Sequence, residues 1–131
     1  MNNTDVQSVI DQVINTEETV IVSNAFSINM LNAETSSIND SCYCYRFDAI
    51  TLEQAQLLLE SIGGRYRCCI GHVDTAQLVG GQLGLELVAN RETVSLAPHG
   101  VMLVAQYTGP RLPEGSTTLP EGASINYWIV W

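Results

Sequence analysis

The chain has 131 residues, 46% of them hydrophobic, which is enough to bury the core of one domain. Fourteen acidic residues stand against five basic ones, all arginine, for a formal net charge of -9. No basic stripe exists to track a long polyanion, which argues against duplex DNA as a partner, although a few arginines and backbone donors can still build a locally positive site for a small anion.

Residues 4–15 predict a helix: Thr4 and Gln7 fit a capping box, and Val6, Val9, Ile10, Val13 and Ile14 recur at spacings of three and four. That apolar face needs a cover, either this domain's own sheet or another subunit. Thr19-Val20-Ile21-Val22 is β-branched throughout and reads as a buried strand leading into Asn24-Ala25-Phe26-Ser27-Ile28-Asn29-Met30-Leu31. There Phe26, Ile28, Met30 and Leu31 suit the core, while Asn24, Ser27 and Asn29 offer short donors and acceptors. Such groups serve a ligand's polar edges or the turn's own backbone. Residues 32–40 are polar and read as a loop.

Cys42 to Phe47 alternates like a strand. Thr51-Leu52-Glu53-Gln54 then opens a helix with Leu52, Ala55, Leu58, Leu59 and Ile62 on one face, ended by Gly63-Gly64. Arg65 to Ile70 reads as a strand running into Gly71-His72, and Thr75 to Leu83 as a short helix finished by Gly84. Gly80-Gly81 inside that helix costs roughly 1 kcal/mol per glycine relative to alanine. Close approach of another backbone, such as a second subunit's, would justify the pair.

Leu85 to Val88 and Thr93 to Leu96 predict short strands, and Pro98-His99-Gly100 a turn with His99 in solvent. The unbroken run Val101 to Tyr107 predicts a central strand that empties into Thr108-Gly109-Pro110-Arg111-Leu112-Pro113-Glu114-Gly115. Leu119-Pro120-Glu121-Gly122 partly echoes the end of that segment, but two short copies make no structural repeat. Ile125 to Trp131 is a closing aromatic and β-branched strand. The expected architecture is α/β (α+β), one compact domain with a mixed sheet of about five strands flanked by helices. Residues 1–18 form an N-terminal helical extension to the main domain at 19–131.

Three segments carry candidate chemistry. His72 stands at a strand-to-helix junction, beside first-turn N–H groups and the positive end of a helix dipole, both suited to holding a phosphate; a histidine there can equally be a mere helix start. Arg111 and Glu114, restrained by Pro110 and Pro113 at the end of a core strand, are either a cation and an anion poised for a ligand or an ion pair within the loop. Cys42, Cys44, Cys68 and Cys69 lack the spacing of a zinc ribbon or redox motif and are expected to be buried thiols. A zinc site joining them to His72 or His99 is disfavoured because ligands alternating along strands face apart.

Asn24-Ala25-Phe26-Ser27-Ile28-Asn29-Met30-Leu31, Ile70-Gly71-His72-Val73-Asp74-Thr75 and Arg111-Leu112-Pro113-Glu114-Gly115, in that order and at comparable spacing, resemble the viral anti-CRISPR ring nucleases of type III systems and their cellular ring-nuclease relatives. The resemblance covers roughly residues 19–131, with Val73 standing where the family often has aspartate. It implies a two-fold homodimer, or a higher oligomer, that binds cyclic tetra-adenylate. It further implies metal-independent cleavage with no cofactor, in which a ribose 2′-hydroxyl attacks the adjacent phosphorus and leaves linear products ending in a 2′,3′-cyclic phosphate. On that reading His72 is the general acid and Arg111 holds a phosphate oxygen, while Glu114 orients one of them or assists removal of the 2′ proton. Asn24, Ser27, Asn29, Gly71 and Thr75 would contact the ligand. Two alternatives stand beside it: a protein that sequesters the cyclic nucleotide without cutting it, and an interaction domain using the helix at 4–15. The polar amino terminus resembles no secretory signal and no apolar run is long enough to span a bilayer, so no membrane partner is expected and the location is cytoplasmic, in the host cytoplasm for a viral source.

Overall fold

The structure, a computed structural model, describes residues 1–16, 19–31 and 44–131. Helix α1 (Asn3–Thr16) starts where the Asn2 side chain accepts the Asp5 N–H at 2.8 Å. Asn2 is therefore the cap, two residues before the capping box expected at Thr4 and Gln7, and the Gln7 amide instead donates to Asp11. Val6, Val9, Ile10 and Val13 are buried as their spacing requires, whereas Ile14 lies off the stripe and is half exposed.

Strand β1 (Val20–Ser23) is followed by a 3₁₀ turn (Ile28–Met30). Strand β2 (Phe47–Ile50) precedes helix α2 (Leu52–Ser61), whose Thr51–Gln54 capping box forms as expected, with the Thr51 hydroxyl accepting the Gln54 N–H at 3.1 Å and the Gln54 carboxamide accepting the Thr51 N–H at 3.0 Å. The strand expected over residues 42–47 begins only at Phe47, its first two residues lying outside the described ones. Then come β3 (Tyr66–Cys68), helix α3 (Val73–Leu83), β4 (Met102–Thr108) and β5 (Ser124–Val130).

The sheet runs in the order β2-β5-β4-β1-β3. β1 is parallel to both β3 and β4, while β5 is antiparallel to both β4 and β2, so the sheet is mixed and β4 is central. Alternation along the strands divides the core. Val20, Val22, Leu103, Ala105, Tyr127 and Ile129 pack with the apolar faces of α1, α2 and α3. Ile21, Met102, Val104 and Val130 face the other way, against Phe26, Met30, Leu31, Val94 and Leu96. One layer of helices and one layer of irregular chain thus cover the two sides of a single α+β domain. Among the described residues no helix is long and apolar enough to cross a membrane.

Two expectations change here. Residues 85–88 and 93–96 are not strands; only Leu96 makes a bridge, to Leu31. The segment wraps the β3 edge instead, with Leu87 on the helix side and Val94 and Leu96 on the other. Asn90 takes up the exit of β3, its N–H donating to Ile70 O at 2.8 Å and its carboxamide to Cys68 O at 3.2 Å. Gly80 does meet a backbone closely, but it is the chain's own: a Cβ there would lie 2.6 Å from Leu85 O, while one on Gly81 would meet nothing.

The cysteines are not uniformly buried. Cys69 is buried, Cys68 half-buried and Cys44 exposed; Cys42 lies outside the described residues. Burial, followed by the adjacent Glu92 carboxylate, pushes the Cys69 thiol above its ordinary range.

Candidate functional site

Because β1, β3 and β4 are parallel, their carboxyl ends lie along one edge of the sheet, the usual place for a site in such folds. β3 leads through Cys69, Ile70 and Gly71 into α3. The helix starts at Val73, two residues before the expected Thr75, with His72 as an N-cap in extended conformation (φ -105°, ψ 131°). His72 O accepts the Ala76 N–H at 2.9 Å, but its imidazole makes no capping bond, and among the described residues it has no hydrogen-bond partner. The ring is exposed, and the N–H groups of the first turn have no acceptor within the helix.

β4 leads into the loop bearing the other candidates. Tyr107, near its end, donates its hydroxyl to Pro110 O. Arg111 and Glu114 follow, both exposed, and among the described residues neither is in an ion pair, so the reading of this motif as an internal Arg–Glu bridge does not hold. Gly115 adopts φ 78° and Ser116 donates its N–H to Pro113 O at 3.1 Å, closing a tight turn with Glu114 at its corner. The Gly115 N–H reaches across to α3 and donates to Asp74 Oδ2 at 3.2 Å.

These two segments bound one open cleft of about 840 Å³, lined by His72, Asp74, Thr75, Tyr107, Arg111 and Glu114 among others. Four of the expected site residues, from segments almost forty positions apart, thus share one space. Asn24 lines a neighbouring cavity of about 460 Å³ with Phe26, Phe47, Gln106 and Trp128, and Tyr107 belongs to both walls. Ser27 and Asn29 are exposed on the turn beyond β1 and line neither cavity. Gly71 lies under Arg91, whose Nε donates to Gly71 O at 3.4 Å; a Cβ there would meet Arg91 Cγ at 2.8 Å.

Tyr107 and Asp74 were not singled out as site residues from the sequence. Their signals were present: Tyr107 is the polar-tipped last member of the apolar β4 run, and Asp74 an acid in the first turn of a helix. Among the described residues no cluster of three or more His, Cys, Asp or Glu side chains is set to hold a metal ion. Chemically, the cleft offers an imidazole and a guanidinium, both unpaired among the described residues, with helix-start amides and a carboxylate on a restrained turn. That combination can bind an anionic ester and exchange protons with it.

Comparison with known proteins places the fold and the family. Among solved structures, B116 of Sulfolobus turreted icosahedral virus (STIV) is similar at TM-score 0.68 and 29% identity, over 86% of this chain and 98% of the viral one. YddF of Bacillus subtilis (strain 168) is 39% identical over 49 residues, which is 37% of this chain and 45% of YddF, so the match spans less than half of that relative. The STIV B116-like family model matches residues 20–128, a stretch that includes every residue of the cleft and of the cavity beside it except Val130. The chain belongs to the STIV B116-like family.

Proposed function

We propose that the protein is a ring nuclease that binds cyclic tetra-adenylate as a homodimer and cleaves it without a metal, antagonising type III CRISPR signalling. The observation that supports this most is the meeting of His72 with Arg111 and Glu114 in one cleft, with Thr75 on its wall. The likeness of the three sequence segments to ring nucleases supplies the substrate class. A ring with two-fold symmetry presents equivalent halves to two copies of one site, which favours a symmetric pair of subunits.

The chemistry follows from what the side chains offer. Holding the ring fixes one 2′-oxygen in line with the adjacent phosphorus, so the reaction becomes unimolecular. The 2′-oxygen bonds to phosphorus as the bond to the 5′-oxygen breaks. His72 delivers a proton to the departing 5′-oxygen, and Arg111 offsets the charge gathering on the non-bridging oxygens. Glu114 either receives the 2′ proton itself or orients a neighbour while solvent water receives that proton. The products are linear, with a 2′,3′-cyclic phosphate at one end and a 5′-hydroxyl at the other.

The test is incubation of the purified protein with cyclic oligoadenylates of several ring sizes, with and without EDTA, followed by separation of products. Cyclic tetra-adenylate should be cut in both conditions. His72→Ala should still bind it while cleaving roughly 10²–10⁴-fold more slowly. Tight binding with the ring recovered intact would favour sequestration instead, a role suited to a chain with exposed Val73 beside the histidine. Absence of binding to any ring would overturn both readings, and loss of activity in EDTA would overturn the metal-independent step.

A further inference from the structure

We propose that Asp74 is a positioning residue, whose carboxylate sets the loop bearing Arg111 and Glu114 over the cleft by accepting the Gly115 N–H. The inference rests on the cleavage reading above for its effect on rate, but not for the contact itself.

The chain contains its own control. Leu112-Pro113-Glu114-Gly115 and Leu119-Pro120-Glu121-Gly122 fold alike: Gly115 has φ 78° and Gly122 φ 79°, and their turns close through Ser116 N–H to Pro113 O at 3.1 Å and Ala123 N–H to Pro120 O at 3.0 Å. The turn therefore forms from its four residues alone, with glycine supplying the left-handed position. What distinguishes the first copy is its attachment. Gly115 N–H is held by Asp74 at 3.2 Å, whereas among the described residues no side chain accepts the Gly122 N–H. Asp74 is thus not needed to make the turn, only to place it.

Placement matters because of where Asp74 stands. It is two residues from His72, in the first turn of α3, so one hydrogen bond ties the segment carrying the imidazole to the segment carrying the arginine. The near end of the loop has its own anchor, Tyr107 hydroxyl to Pro110 O. With both anchors in place the intervening residues hang between two fixed points, and the geometry of Arg111 and Glu114 relative to His72 is inherited from β4 and α3. Without the far anchor the turn persists but drifts.

The experiment compares Asp74→Ala, Asp74→Asn and the unaltered protein. The Gly115 amide exchange rate, read by NMR without ligand, reports the contact. The single-turnover cleavage rate and the equilibrium Kd for cyclic tetra-adenylate, the latter on a His72→Ala background, separate placement from binding. Asp74→Ala should speed Gly115 exchange and lower the cleavage rate by about tenfold to a hundredfold, since a displacement near 1 Å costs that much, with Kd changed by less than about threefold. Asp74→Asn retains an acceptor oxygen and should restore most of both. Thermal melts of the variants check folding. If the unaltered protein cleaves and Asp74→Ala cleaves equally well, Asp74 does not position the loop while the nuclease reading stands. If the unaltered protein cuts no ring, the nuclease reading fails, and the anchoring of Gly115 is still decided by its exchange: unchanged in Asp74→Ala, it is refuted. A loss of rate that Asp74→Asn fails to restore likewise refutes a role through this hydrogen bond.

Discussion

Gly80 and Gly81 are neighbours in α3 with opposite surroundings, and alanine at each should move stability in opposite directions. In a helix interior, alanine is favoured over glycine by about 1 kcal/mol. At Gly81 nothing lies within 4 Å of the added carbon, so most of that gain should appear. At Gly80 the added carbon would sit 2.6 Å from Leu85 O and 3.2 Å from Leu87 N. Both are backbone atoms, and Leu85 cannot easily retreat because its own N–H donates to Gly80 O at 2.9 Å. Overpacking of this kind costs about 1–3 kcal/mol, which exceeds the propensity gain at its upper range and offsets it at the lower. Urea and thermal unfolding of the two variants should place Gly81→Ala above the unaltered protein and Gly80→Ala below it, roughly 2 kcal/mol or about 6–10 °C apart for a chain of this size. A Gly80→Ala variant melting as high as Gly81→Ala would refute the idea that the return of residues 85–87 dictates glycine at 80.

Deleting residues 1–16 removes Val6, Val9, Ile10 and Val13 from the helix-side core, each nearly fully buried. At about 1.5 kcal/mol or more per side chain the loss approaches the whole stability of an ordinary domain, so the truncated chain should show no cooperative melt; a sharp two-state melt would mean that α1 is dispensable. Tyr127, buried in the sheet with its hydroxyl donating to Gln82 Oε1 at 2.8 Å, has its pKa pushed up from 10.0 to about 12 by burial. The folded state thus keeps a proton the unfolded state has lost, and the stability this gives is complete below pH 10 and disappears as pH rises through about 12. Urea midpoints measured between pH 9 and 11.5 should fall more steeply for the unaltered protein than for Tyr127→Phe, by up to about 1.4 kcal/mol per pH unit, and parallel slopes would exclude Tyr127 as the group responsible.

Most of the regular structure was legible because it is driven by local pattern. The stripe of α1, the capping box at Thr51 and Gln54, and the unbroken apolarity of Met102 to Ala105 each have one low-energy solution. Misreading set in where side chains of similar character serve a different geometry. Leu85, Leu87, Val94 and Leu96 look like strand residues, yet they wrap an edge, and Asn90 takes Cys68 O at the end of β3 and Ile70 O just beyond it in place of a further strand. The helix start at Val73 was hidden because His72 caps by backbone alone, leaving no Ser, Thr or Asp signal at that position. In the candidate site, His72, Arg111, Glu114 and Thr75 were legible as residue types, but the hydrogen bond that ties their segments together involves a backbone N–H, which no side-chain pattern announces.

Sheet order explains which candidates meet. β1 lies between β3 and β4, so strand adjacency alone would put Asn24, just after β1, between His72 and Arg111. The chain departs from that because successive residues leave opposite faces. Beyond β1 the chain turns to the face opposite the helices, where Phe26, Met30 and Leu31 pack half-buried, and carries Asn24 with it. Beyond β3, Cys69 still bonds its N–H to Val22 O at 2.8 Å, and Ile70 then enters the helix-side core and delivers α3 across that side. The exit of β4 meets α3 there, and Tyr107 at the end of the central strand lines both the cleft and the cavity that holds Asn24. Among the described residues Tyr107 is the one side chain common to the linings of the cleft and of that cavity, so a ligand that touched both His72 and Asn24 would find it on the wall of each space.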